Sequence, residues 1–120
     1  NTIITAIEKK KNDANYNILK QNYEILKKAR NITGKKFKII SVPMPKPFFI
    51  NKVRVPASYL NFLICNNIVL LPLFNDINDS KVIKIFKKFF KTRKIIGINC
   101  RNLIWGFGAI HCMTQNEPKI

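Results

Sequence analysis

The chain has 120 residues, enough for one domain or part of one but too few for two independent hydrophobic cores. Hydrophobic residues make up 47% of it, which excludes the polar composition of a disordered segment. The net charge of +16 would attract nucleic acid, yet the lysines are spread along the chain and form no single stripe. Lysine-rich composition and solvated helix faces account for the charge, so nucleic acid is not the expected partner; a real anionic partner stays open as the alternative.

The first third of the chain predicts a strand, a helix and a second strand. Thr2–Ile7 is a short β-rich run. Apolar residues then recur with helical spacing from Tyr16 onward, opposite a face of lysine and asparagine, so we expect a helix over residues 14–31. Residues 36–42 alternate and are β-branched, which predicts a strand that ends at the prolines beginning with Pro43. A surface loop should follow.

The middle of the chain predicts a hairpin and a second helix. Residues 60–65 and 68–73 are two apolar runs separated by Asn66 and Asn67, residues that tolerate a positive φ. Both strands of this hairpin should be buried on both faces. A second helix is expected to run to residue 91, with polar residues at 78–80 as its cap and lysines on its solvent side.

The C-terminal part predicts two more strands. Residues 94–98 read as a strand, residues 102–105 fit no single element, and residues 109–114 predict a final strand. This order places the chain in the α/β class, with the strand, helix, strand unit partly repeated. No run approaches the roughly 18 apolar residues of a membrane span, so a membrane is not an expected partner. A missing N-terminus could still have held a targeting segment.

The three cysteines, Cys65, Cys100 and Cys112, have no spacing typical of a metal site, and the single histidine, His111, adjoins Cys112. No metal is therefore expected. An odd number of cysteines suits a reducing compartment, and we predict a cytoplasmic protein. If residues 109–114 form a strand, His111 and Cys112 point to opposite faces and cannot share a proton. A general base for Cys112 would then have to come from elsewhere.

Two blocks of the sequence carry the most specific motifs. Residues 105–115 read W-G-F-G-A-I-H-C-M-T-Q, and residues 54–62 read R-V-P-A-S-Y-L-N-F. Both resemble segments of the agmatine deiminases, a family that includes the bacterial-type peptidylarginine deiminases, and they stand at the family's separation. Residues 75–79 and 95–100 resemble further family segments more loosely, with asparagine where the family has a glycine and an acid.

The resemblance implies a pentein fold, a pseudo-fivefold α/β propeller, of which this chain supplies about the last two modules. Residues 1–120 would then be the C-terminal part of a single catalytic domain, with an exposed apolar face where the other modules pack. The family's H-x-D histidine and guanidinium-binding carboxylates lie upstream. The isolated chain should therefore be nearly inactive without the remainder of the domain or a companion chain.

The implied reaction is hydrolysis of a guanidino group, from agmatine to N-carbamoylputrescine and ammonia, in putrescine and polyamine biosynthesis. It would pass through a covalent S-amidino intermediate on Cys112, with no metal or organic cofactor. Deimination of arginine or peptidylarginine is the alternative within the enzyme class. A non-catalytic basic remnant or a nucleic-acid-binding module is the alternative of another class, and homo-oligomerisation stays open.

Four further residues are expected to bind substrate: Trp105, Gly106, Gly108 and Asn61. Each has a structural alternative, namely core packing for Trp105, flexible spacing for the glycines, and loop hydrogen bonds for Asn61. Of the other candidates, His111 is expected to be structural. The remaining cysteines, Cys65 and Cys100, are expected in the core.

Overall fold

The computed structural model describes residues 1–118, which form two α-helices, two short 3₁₀ helices and seven strands. They divide into two compact units, Asn1–Met44 and the residues from Pro45 onward. No helix within these residues is both long and apolar enough to cross a membrane. The elements in chain order are β1 (Thr2–Ile7), α1 (Tyr16–Lys28), β2 (Lys38–Pro43), β3 (Phe49–Ile50), β4 (Val53–Arg54), β5 (Leu63–Ile64), β6 (Ile68–Leu73), α2 (Asp79–Phe89) and β7 (Lys94–Asn99).

The first unit is one strand, helix, strand motif, as predicted. β1 and β2 pair in parallel, and α1 connects them and packs on β1. The predicted helical stripe, which also included Ile18 and Ile25, is confirmed in part, since Leu19, Tyr23 and Leu26 are half-buried at intervals of three and four residues. Ile18 and Ile25 fall outside this stripe and are about two-thirds exposed, at 65% and 66%. The helix is shorter than predicted because the backbone becomes extended after Lys28.

The second unit repeats the same motif around a three-stranded sheet. β6 and β7 are parallel neighbours joined by α2, and β5 adds an antiparallel strand on the other side of β6. β6 is the centre of this sheet, and its residues Val69 and Leu71 are both fully buried. The predicted partial repeat and the predicted hairpin between residues 60 and 73 are therefore confirmed.

Helix α2 covers the sheet of the second unit with an aromatic face. Val82 and Phe86 are both 0% exposed, and the ring of Phe62 meets Phe86 edge-on at 4.9 Å between centroids. Phe90 stacks on Phe86 at 5.6 Å. The lysines of α2 lie on its exposed side, as expected for a solvated helix face.

A buried corner joins the R-V-P-A-S-Y-L-N-F block to the start of α2. Tyr59 is 1% exposed, and its hydroxyl donates to Oδ1 of Asp79 at 2.6 Å. The same carboxylate accepts the N–H of Phe74 at 3.3 Å and the N–H of Asp76 at 3.2 Å. Asp79 therefore fixes the turn after β6 and the loop that carries Tyr59 at once.

One region predicted as a loop contains a hairpin, and the predicted hairpin turns without left-handed residues. The region after β2 contains a hairpin in which β3 and β4 are joined by a two-residue turn. The turn residues, Asn51 and Lys52, have φ angles of 47° and 66°. Asparagine followed by glycine is the usual signal for such a turn, and lysine in the second position hid it. At the other hairpin, Asn66 and Asn67 are not among the left-handed residues of the described chain.

The first strand of that second hairpin is also shorter than predicted. Of the apolar run over residues 60–65, only Leu63 and Ile64 pair with β6. Ile64 is 46% exposed, so the expectation of burial on both faces is wrong for this strand. The preceding residues instead form a turn, because the N–H groups of Leu60 and Asn61 bond to the side chain and carbonyl of Ser58.

Candidate active site

The segment after β7 is anchored in the core before it reaches Cys112. Cys100 is fully buried, and its N–H donates to the carbonyl of Leu73 at 2.8 Å. A 3₁₀ helix over Leu103–Gly106 follows and buries Ile104, which is 1% exposed. Phe107 then adopts a left-handed φ of 60°, which reverses the chain toward the cysteine.

Residues 109–114 do not form the predicted strand. His111–Met113 is a short 3₁₀ helix, in which the N–H of Met113 donates to Ile110 and the N–H of Thr114 donates to His111. Burial explains why the prediction is wrong: Ala109 and Ile110 are buried in succession and residues 111–114 are all exposed. A strand with one buried face would have alternated.

Asn61 holds Cys112 through two hydrogen bonds. Its side-chain Nδ2 donates to Sγ of Cys112 at 2.8 Å, and its Oδ1 accepts the backbone N–H of Cys112 at 3.1 Å. The backbone carbonyl of Asn61 also accepts the N–H of His111 at 3.2 Å. The two sequence blocks identified above therefore meet at the candidate nucleophile.

Gly108 lies against the same thiol. A Cβ built on Gly108 would come within 2.8 Å of Cβ of Cys112 and 3.4 Å of its Sγ, so a larger residue has no room without movement. The structural alternative of a flexible spacer is thus insufficient for Gly108. A Cβ on Gly106, in contrast, would meet no atom within 4 Å.

Hydrogen bonding makes the Cys112 thiol more acidic than an ordinary cysteine. The Asn61 amide is the largest cause of the lowered pKa of Cys112, and the backbone N–H of Ala109 lowers this pKa further. The residue is exposed, so burial opposes the effect only weakly. Burial raises the pKa of Cys100, in the opposite direction. The structure thus separates one ionisable, accessible thiol from one inert thiol.

The other predicted site residues are not placed on Cys112 by the described contacts. Trp105 is 60% exposed, so the alternative of core packing is wrong for this residue. His111 uses its backbone to bond Asn61, and its side chain borders a cleft with Phe62 and Asn116. Cys65 is half-buried, in contrast to the fully buried position expected for it.

One contributor to the site escaped the sequence entirely. The Ala109 backbone N–H is a donor that every residue except proline possesses, so no residue type signals its role. Within residues 1–118, no group of three or more histidine, cysteine, aspartate or glutamate side chains is arranged to hold a metal ion. The described contacts thus give Cys112 an exposed thiol whose pKa is lowered by hydrogen bonds from Asn61 and the backbone of Ala109.

Residues 1–118 match the Porphyromonas-type peptidyl-arginine deiminase family. A protein of Marinomonas sp. (strain MWYL1), provisionally named agmatine deiminase, is 35% identical over 125 residues, which cover 90% of this chain and 34% of the relative. A crystal structure of a provisionally named arginine deiminase from Porphyromonas gingivalis superposes with a TM-score of 0.95 at 31% identity, covering 98% of this chain and 35% of that chain.

A cysteine-to-serine variant of C. jejuni agmatine deiminase, solved with substrate bound, superposes with a TM-score of 0.90 at 34% identity. The superposition covers 99% of this chain and 34% of the C. jejuni enzyme. The chain thus spans about a third of the length of the relatives that it matches. The family match covers residues 1–118, and it agrees with the structural likenesses and with the two motif blocks that meet at Cys112. The chain belongs to the Porphyromonas-type peptidyl-arginine deiminase family.

Proposed function

We propose that this chain is the nucleophile-bearing third of a guanidino-group hydrolase, and that its substrate is agmatine. The observation that carries the proposal is the state of Cys112, whose exposed thiol accepts a hydrogen bond from Asn61 at 2.8 Å and has a lowered pKa. Relatives named agmatine deiminase match nearly the whole chain, which supports agmatine as the guanidino compound.

The lowered pKa of Cys112 matters because the thiolate is the nucleophile. An ordinary cysteine, with a pKa near 8.5, is only about 3% thiolate at pH 7. The amide donors of Asn61 and Ala109 enlarge this fraction before substrate arrives. A bound guanidinium would enlarge it again, because an adjacent cation favours the charged form of the thiol.

The proposed reaction has two steps. The Cys112 thiolate attacks the central guanidinium carbon, and one nitrogen of the tetrahedral adduct leaves as ammonia after it gains a proton. The carbon then remains bonded to sulfur as an S-amidino intermediate. Water adds to this carbon, the C–S bond breaks, and the product is a carbamoyl group with the cysteine restored as thiolate.

The acid and base for these steps belong to the part of the domain that this chain does not contain. The resemblance implies a histidine and paired carboxylates in that part, and carboxylates would hold the planar guanidinium through charge-assisted hydrogen bonds. We propose that residues 1–120 are the C-terminal part of that single domain and that the complete domain is a pentein propeller. The protein would act in the cytoplasm, in polyamine synthesis.

A chimera tests this proposal directly. This chain would replace the corresponding third of C. jejuni agmatine deiminase, and ammonia release from agmatine would be measured. We expect the chimera to be active and Cys112→Ala to reduce its rate by about a thousandfold or more. Cys65→Ala is the matched control and should keep the rate. The chain alone should release no ammonia, since general acid and base catalysis is worth about 100 to 10,000-fold.

The same assay separates the substrates. Arginine and peptidylarginine are the competing substrates, because the family name and the P. gingivalis neighbour refer to arginine deimination. Faster ammonia release from either compound would make that compound the substrate in place of agmatine, and Cys112 would still be the proposed nucleophile. A folded chimera that is inactive on all three compounds, or that stays active after Cys112→Ala, would contradict the proposal.

A further inference from the structure

We infer that Asn61 is a positioning residue that holds the Cys112 thiolate and fixes its direction, and that it does not bind substrate as the sequence suggested. The inference rests on the proposed role of Cys112 as nucleophile and deepens it. It assigns a function to the R-V-P-A-S-Y-L-N-F block, which the reaction described above does not use.

The direction of the Asn61 amide follows from its partners. Its oxygen faces the N–H of Cys112 at 3.1 Å, and its nitrogen faces the sulfur at 2.8 Å. The opposite orientation of the amide would bring two donors together at the backbone N–H of Cys112. The side chain can therefore only donate to the sulfur, and a donor stabilises the thiolate more than the thiol.

The same pairing argues against a contact between Asn61 and a guanidinium. A guanidinium has only N–H donors, and the Nδ2 group of Asn61 is also a donor. The acceptor of the amide, Oδ1, is engaged by Cys112. One lone pair of Oδ1 remains, but the contacts with Cys112 engage both the donor and the acceptor of the amide, so the side chain suits positioning better than recognition.

Asn61 is itself held in place by neighbours on both sides. Its N–H donates to the carbonyl of Ser58, and its carbonyl accepts from His111. Two residues before it, Tyr59 is buried and bonded to Asp79. Gly108 also lies close to the thiol, since a Cβ built on it would come within 3.4 Å of Sγ of Cys112. The sulfur thus has a fixed amide donor and a close backbone as neighbours, which favours a nucleophile of defined direction.

The test is the pH profile of Cys112 alkylation by iodoacetamide, with the modified peptides resolved by mass spectrometry. The full chain is used, and no guanidino substrate is present. Asn61→Ala removes both side-chain bonds to Cys112. Asn102→Ala is the matched control, since Asn102 is exposed and its side chain makes no capping bond. Alkylation of the half-buried Cys65 serves as an internal reference for the activity of the reagent and for unfolding of the chain in each sample.

Removal of the donor has an expected signature. In Asn61→Ala the midpoint of the profile should rise, and alkylation at pH 7 should fall by a factor on the order of five. The limiting rate at high pH should increase, because a more basic thiolate is intrinsically more nucleophilic. The two profiles should therefore cross. Simple loss of shielding around Cys112 would raise the rate at every pH and produce no crossing.

An unchanged midpoint in a folded Asn61→Ala chain, or a uniform rise in rate, would overturn the inference. If circular dichroism shows that Asn61→Ala does not fold, Asn61→Asp takes its place, because it keeps the size and the oxygen that accepts the N–H of Cys112. Its midpoint must rise as well, since the donor is replaced by a carboxylate oxygen, and an unchanged midpoint would again overturn the inference.

This experiment separates the inference from the proposed function. A chain whose chimera releases no ammonia can still show the shifted alkylation profile, in which case only the assigned reaction is lost. A chimera that loses activity with Cys112→Ala, combined with an unshifted Asn61→Ala profile, would keep Cys112 as the nucleophile and remove only the role of Asn61.

Discussion

Replacing Tyr59 by phenylalanine should destabilise the second unit by a measurable amount. The ring is 1% exposed, and phenylalanine preserves its shape and its edge contact with Phe74 at 5.5 Å. The substitution removes only the hydroxyl that donates to Asp79 at 2.6 Å. Asp79 keeps its bonds from the backbone N–H groups of Phe74 and Asp76, but it loses the bond from Tyr59, which is the shortest of its hydrogen bonds.

Hydrogen bonds to a charged group contribute about 1.5 to 3 kcal/mol, so we expect Tyr59→Phe to lower the free energy of unfolding by this amount. With an m-value of about 1.5 kcal/mol/M, the urea midpoint should fall by roughly 1 to 2 M. Unfolding would be followed by circular dichroism and by the fluorescence of Trp105, the single tryptophan, which lies in the second unit.

The matched control is Tyr23→Phe, on the half-buried stripe of α1, which keeps the ring that Lys27 contacts at 5.6 Å. It should change the stability by less than about 0.5 kcal/mol. Equal midpoints for Tyr59→Phe and Tyr23→Phe would refute the assigned importance of the buried corner. A large change in m-value would also refute it, because the effect would then not belong to one hydrogen bond in the native state.

The same pair predicts the pH dependence of this effect. Burial and the neighbouring Asp79 raise the pKa of Tyr59 above its ordinary value. The unfolded chain therefore ionises first, so the contribution is fully present below the ordinary tyrosine pKa of about 10 and is lost as pH rises toward the native pKa. The stability difference between the wild type and Tyr59→Phe should be constant from pH 6 to 9 and shrink above pH 10.

The remaining predictions concern the glycines. Gly97→Ala places a Cβ 2.4 Å from Cδ1 of Leu73 across the parallel pair, and we expect a loss of about 1 to 2 kcal/mol in urea unfolding; an unchanged midpoint would show that Leu73 moves aside freely. Gly108→Ala should displace Cys112 and change its iodoacetamide alkylation rate several-fold, whereas Gly106→Ala, with open space around it, should not. Equal alkylation rates for the two variants would contradict the close contact at Gly108.

The elements that the sequence predicts correctly are those with a sustained hydrophobic period. The stripe of α1, the apolar strand β6 and the aromatic face of α2 each extend over several residues, and each matches its structure in type. Their ends are less accurate, because helix ends depend on single backbone angles. The residue after Lys28, for example, is extended with ψ of 146° although its side chain continues the helical pattern.

Short elements fail where a single residue decides the backbone conformation. The turn of Asn51 and Lys52 requires both residues to be in the left-handed conformation, which lysine seldom adopts. The hairpin therefore has no clear signal in the sequence. The segment around Cys112 fails for the opposite reason. Its residues carry strand propensity, but tertiary contacts bury Ala109 and Ile110 together, and a 3₁₀ turn satisfies the backbone without a partner strand.

The contact between Asn61 and Cys112 shows why motif matching finds the members of a site before their roles. The two residues are separated by 51 positions, and each lies in a motif block that the sequence singles out. Sequence alone offers both substrate binding and loop bonding as uses for an asparagine, since its amide both donates and accepts. Only the geometry shows the oxygen on a backbone N–H and the nitrogen on sulfur. That arrangement turns a residue of undecided use into a partner of the nucleophile, and it makes the alkylation profile the decisive measurement.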